Sequence, residues 1–277
     1  MLNVKYAGLL SFVFLLSISF GQAQSSEASS KSEFKISANY NSGLNYYGRT
    51  DSLRSSGFFP MAELWFNKNI YVNAAPVFVN NSASSFDYAG TVATLGFLSV
   101  TDEWITSITL MKPFYKTNEL VQSALKAQTA LSFTKRSEVI NFGFGADLKF
   151  SDKVDYGAML GLDHAFIVPF SGEKSLIINP TATANAGTQQ FSYTYYKQGS
   201  FLGLPGPRQE VSESVKKFNL LSYEFSMPIT LTSGKLQLMV SPAYVIPQNL
   251  IQVTGRPDLS ERGKEMFYST FTAKITL

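Results

Sequence analysis

The sequence predicts an all-β fold: a single antiparallel transmembrane β-barrel of twelve strands, with ten to fourteen compatible with the same pattern. Three observations predict it. The chain opens on a secretory signal, its strands alternate between apolar and polar residues with the charges on one parity, and tight turns alternate with long loops. Composition agrees: 45% of the 277 residues are hydrophobic, Phe and Tyr number 23 and 14, and 16% are charged, against roughly 25% in ordinary soluble domains.

Residues 1–23 carry a single Lys5, an apolar run over 6–20 (YAGLLSFVFLLSISF), and Gly21-Gln22-Ala23, with small residues at the two positions a signal peptidase reads. The apolar run is 15 residues long, below the roughly 18 to 20 that a helix needs to span a bilayer. Cleavage after Ala23 is therefore expected rather than anchoring, and no cysteine follows to carry a lipid. Residues 24–32 are Ser-rich and read as a flexible lead-in. The barrel domain is expected over 33–277.

Period-2 alternation is clearest in 34–40, 140–150, 221–229, 235–246 and 268–277. In 140–150 (INFGFGADLKF), Ile140, Phe142, Phe144, Ala146, Leu148 and Phe150 share one face, and Asp147 and Lys149 lie on the other. Across the five segments the apolar parity carries no charge, whereas the other carries Lys35, Asp147, Lys149, Glu224, Lys235 and Lys274. Alternation alone fits a buried sandwich face as well as a lipid-facing one, so the connections decide. Strands expected at 33–41, 57–66, 70–79, 90–99, 104–112, 124–134, 138–150, 155–168, 175–196, 214–231, 235–247 and 264–277 leave tight turns at 67–69, 101–103, 135–137 and 232–234. Longer links fall at 42–56, 80–89, 113–123, 197–213 and 248–263, with 151–154 short where a long one is expected; 117–127 also reads as a short helix behind a Thr or Asn cap. Short turns on the periplasmic rim and long loops outside are the habit of outer-membrane barrels, which places both termini in the periplasm. Trp65 and Trp104 fall beside short turns and are expected in an interfacial aromatic girdle. The last strand, 267–277, is expected to pair with the first and close the ring.

The signal ending in Ala23-Gln24, the hairpin over 221–249 (LSYEFSMPITLTSGKLQLMVSPAYVIPQN) and the terminal strand together resemble bacterial outer-membrane β-barrels, and within them small barrels of the Bacteroidota. The resemblance covers nearly all of the mature chain. It implies outer-membrane lipid as the surroundings and the barrel-assembly machinery as a partner in biogenesis. Such barrels often end on an aromatic residue; this chain ends on Leu277.

A formal charge of +3, spread evenly and without a glycine-rich phosphate loop, argues against nucleic acid as a partner. One histidine and no cysteine argue against a zinc site, and no cofactor is expected. Barrel enzymes that resemble outer-membrane lipases and deacylases pair a His with a nearby Ser; here His164 is followed two residues on by Phe166. Catalysis at His164 is thus the weakest of three functional expectations. The first is a small-solute channel lined by the inward parity, with Lys35, Glu63, Lys126, Asp147, Lys149, Asp163, Glu224, Lys235 and Lys274 facing the lumen. The second is a non-conducting barrel whose long loops bind partners, with those charges paired to fill the interior.

Overall fold

The computed structural model describes residues 32–50, 53–116, 125–170, 174–189, 217–252 and 260–277. The signal, the lead-in up to residue 31, the 197–213 loop and most of the proposed helix lie outside these residues. The strands are β1 (Glu33–Asn41), β2 (Ser56–Trp65), β3 (Ile70–Asn81), β4 (Ser84–Val100), β5 (Trp104–Tyr115), β6 (Ala127–Lys135), β7 (Asn141–Phe150), β8 (Val154–Asp163), β9 (Phe166–Pro169), β10 (Lys174–Ile178), β11 (Thr181–Gly187), β12 (Asn219–Ser226), β13 (Ile229–Ser233), β14 (Leu236–Pro247) and β15 (Met266–Thr276).

These segments make twelve staves, because β8 continues into β9, β10 into β11, and β12 into β13. The three breaks fall at His164-Ala165, Asn179-Pro180 and Met227-Pro228. A proline has no N–H to give the ladder, so two of the breaks follow from sequence. The breaks line up as a crease. His164 N–H donates to Pro180 O at 3.3 Å, Asn179 N–H to Pro228 O at 2.9 Å, and Met227 N–H to Pro242 O at 3.0 Å. Below the crease β9 runs past the end of β7 and pairs with β10 alone.

Every pairing is antiparallel, and the ring closes. β1 pairs with β2 on one side and with β15 on the other, from Lys35 opposite Thr276 to Asn41 opposite Thr270, while β12 meets β14. On the rim of the N-terminus the links are short: 66–69, 101–103, 136–140, 170–173 and 234–235. The other rim carries 42–55, 116–126, 188–218 and 248–265, with short turns at 82–83 and 151–153. The loop expected over 80–89 is instead strand: β3 and β4 run on to a tight turn, with register shifts between Val77 and Phe78 and between Val79 and Asn81. Bulges of this kind break the period-2 pattern, which hid the continuation.

Phe34, Ile36, Phe142, Phe144, Leu160 and Leu162 stand exposed on the outer surface, whereas Ser37, Asn39, Asp147, Lys149, Ser222 and Glu224 are buried inside. An apolar exterior around a polar interior suits hydrocarbon, and ring closure through β1–β15 and β12–β14 pairs the strand edges above the crease. The chain is a closed twelve-strand antiparallel β-barrel with a lipid-compatible exterior. Its inner face is not polar throughout. In the half nearest the long loops Phe59, Val77, Val79, Val92, Met111 and Val245 close on Leu44 as an apolar core inside the ring.

Candidate functional site

Leu44 reaches that core because the β1–β2 loop folds into the barrel. Asn41 Oδ1 accepts from Gly43 N–H at 2.9 Å and turns the chain inward at the end of β1. Tyr46 and Arg49 then exchange backbone hydrogen bonds at 2.8 and 2.9 Å around Tyr47 and Gly48, whose φ angles are 53° and 77°. Two consecutive left-handed residues are what a two-residue hairpin turn requires, and glycine supplies one at no steric cost. Leu44, Asn45, Tyr46 and Arg49 are all buried.

Arg49 pins this plug. Its Nε donates to Glu261 Oε2 at 3.1 Å, Nη1 to the carbonyls of Tyr47 and Leu221 at 3.2 and 3.1 Å, and Nη2 to Gln248 O at 3.0 Å. The two charged side chains are 1% and 3% exposed. Glu261 also accepts from Ile251 N–H at 2.9 Å. Gln189, with its amide oriented to match its neighbours, accepts from Arg49 Nη2 at 2.7 Å and donates to Glu261 at 3.0 Å. The plug is thereby tied to the ends of β11, β12 and β14, all distant in sequence.

Beneath the plug Lys149 is ion-paired and hydrogen-bonded to Asp147, and its Nζ lies 6.0 and 5.8 Å from the ring centres of Tyr46 and Tyr47. Burial pushes both tyrosine hydroxyls above their ordinary range, with Lys149 opposing the shift. A Cβ on Gly157 would sit 2.1 Å from Asp147 Oδ1, so the absence of a side chain there makes room for the carboxylate. Thr188 donates to the fully buried Asp155 at 2.5 Å, and Glu224 hydrogen-bonds with Tyr268.

At the periplasmic end the inward residues form a second cluster. Trp65 Nε1 donates to Glu63 Oε1 at 2.8 Å, Lys35 Nζ stands 4.7 Å over the Trp65 ring, and Lys274 Nζ is 3.9 Å from Glu63. Tyr71 packs against Trp65 with the rings tilted and their centres 4.7 Å apart, and lies across Gly96, where a Cβ would come within 2.1 Å of its ring. Trp65 therefore faces the lumen rather than the girdle, because it shares a parity with Glu63. Trp104 does lie on the outer surface, edge-on to Phe144 at 6.4 Å, with Lys135 over its ring.

Two other expected lumen residues sit elsewhere. Strand β6 begins at Ala127, so Lys126 stands on the outer rim, ion-paired with Asp152 at 2.8 Å. Lys235 occupies the exposed turn before β14. Asp163 is buried and accepts from Asn141 Nδ2 at 2.8 Å. His164 packs edge-on against Phe166 at 4.5 Å, and among the described residues no hydroxyl bonds to its imidazole. Among the same residues no three His, Asp or Glu side chains converge on a metal position.

No protein-family model matches the chain, and no curated protein matches it. Solved structures of similar fold include the NanC porin, at 9% identity and a TM-score of 0.46, covering 88% of this chain and 100% of that one. LpxR from Salmonella typhimurium matches at 10% identity and a TM-score of 0.41 over 87% of this chain and 99% of its own. The β-domain of the Bordetella autotransporter BrkA matches at 8% identity and 0.42, over 88% and 98%. The assignment as a barrel stands on the closed strand pairing described above.

Proposed function

We propose that the barrel does not conduct in its resting conformation and works at its outer rim, as a surface barrel whose long loops make its contacts. The observation that carries this reading is the plug: Leu44 and Arg49 are each 2% exposed inside the outer half of the barrel, Leu44 packed among Phe59, Val77 and Val79 and Arg49 bonded to Glu261, Leu221 and Gln248. Ions do not cross a packed apolar layer without displacing it, and withdrawing Arg49 means breaking its bonds to Glu261 and to the carbonyls of Leu221 and Gln248.

A second reading, a small-solute channel that opens when the plug withdraws, is supported by the interior below it. Gln128 is buried on the lumen side with neither amide atom paired. In a native interior that marks a place for water. Planar-bilayer conductance tests both readings. The intact barrel is expected to be silent, and a variant lacking residues 43–50 to conduct if the plug is the only obstruction. Steady current through the intact barrel overturns the non-conducting reading, and a silent excised variant removes the channel one.

A further inference from the structure

The outward parity of the strands contains one residue out of keeping with lipid. Among the described residues it carries three charges, and two of them, Lys135 and Lys174, are terminal residues of β6 and β10 on the periplasmic rim. The third, Lys112, lies inside β5 between Leu110 and Phe114, both 52% exposed on the outer surface. A lysine on this face is tolerated only where its ammonium reaches headgroup level. Lys112 does reach upward: its Nζ is 5.5 Å from the Phe114 ring centre and 3.5 Å from the carbonyl oxygen of Lys126 on the outer rim. That is a long bond to one uncharged acceptor, and among the described residues no carboxylate pairs with it. An ammonium has three donors to satisfy.

Around it the rim is basic. Lys126 is 48% exposed beside Asp152, Lys116 is 51% exposed beside Asp87, and Lys153 is exposed in the turn between β7 and β8. Among the described residues, four lysines and two acids thus stand together on the rim of the long loops. Phe150 stands level with Lys112 across Ala127, and Leu110 and Leu131 lie below it, so that the three offer an apolar wall for acyl chains.

We propose that this rim binds the phosphate of an anionic outer-leaflet lipid, with Lys112 and Lys126 as its ligands and the outer faces of β5, β6 and β7 as the seat of its chains. Charge complementarity and the lipid-facing parity of Lys112 favour a lipid over a free anion, which would have no use for the wall.

The test is native mass spectrometry of the mature, delipidated barrel titrated with bis-phosphorylated lipid A. One lipid is expected to bind, and Lys112→Gln and Lys126→Gln each to weaken it roughly fivefold, the factor that about 1 kcal/mol of surface attraction per lysine supplies. Lys135→Gln, on the opposite rim, is expected to bind as the unmodified protein does. Without any mutation, dephosphorylated lipid A is expected to bind more weakly and millimolar inorganic phosphate to leave bound lipid A in place. Equal binding by the Lys112→Gln/Lys126→Gln double variant, checked for folding by heat-dependent gel mobility, overturns the proposal. So does displacement of the lipid by inorganic phosphate, which would make the rim a free-anion site.

Discussion

Replacing Arg49 with methionine is expected to lower the barrel's unfolding free energy by about 3 to 5 kcal/mol, the cost of removing one partner from a buried ion pair. Arg49 and Glu261 are 1% and 3% exposed, and the pair joins the plug to the loop before β15. The loss of the guanidinium also strips donors from the carbonyls of Leu221 and Gln248. Most of the penalty comes from the charge left behind on Glu261, so Arg49→Met combined with Glu261→Gln is expected to recover a large part of it. Reversible urea unfolding in lipid vesicles, run as a double-mutant cycle, reads the coupling directly. A small single-mutant effect, or strict additivity, would mean that the plug is held by its apolar contacts alone.

The second large effect lies on the outer surface. Leu131 is the middle residue of β6, outward-facing and opposite Ile108 and Ala146 on its neighbours. Leu131→Arg is expected to cost about 2 to 4 kcal/mol, the penalty for arginine at the bilayer midplane. The same change at Phe267, the second residue of β15 on the outer rim and 66% exposed, is expected to cost about 0 to 1 kcal/mol, because there the side chain reaches the interface. The ratio between the two sites matters more than either value, since a water-exposed surface would tolerate both.

Much of the barrel is legible in the sequence because the signals are local. Phe142 and Phe144 alternate with Gly143 and Gly145, and Tyr223 and Phe225 flank Glu224. That parity survives in the structure as an exposed apolar face and a buried polar one. What fills the lumen is not legible in the same way. Nothing near Leu44 or Arg49 announces that their loop turns inward, because Arg49's partners lie 172, 199 and 212 residues away in sequence. The Asn41-x-Gly43 and Tyr47-Gly48 turns are the available signal, and they indicate a tight path without a direction. The inward apolar residues Val77 and Val79 follow from the plug, since they have Leu44 to pack against. Trp65 is a different case. Glu63 and Trp65 are two apart on one strand and must share a face, so the rule of alternation by itself forbids placing one in the lumen and the other in the girdle. Lys126 and Lys235 show the opposite lesson: parity places a side chain only while the strand lasts, and both lie just beyond a strand end.

The two tryptophans provide the most direct test of which parity meets lipid. Single-tryptophan barrels, Trp65→Phe and Trp104→Phe, would be reconstituted in phosphatidylcholine brominated near the headgroup end of its chains, and emission compared with that in unbrominated lipid. Strong quenching is expected where Trp104 remains and little where Trp65 remains, since one ring lies on the outer surface and the other inside against Lys35, Glu63 and Tyr71. Equal quenching of both, or quenching of Trp65 alone, would contradict the assignment of inside and outside on which every lumen residue described above depends.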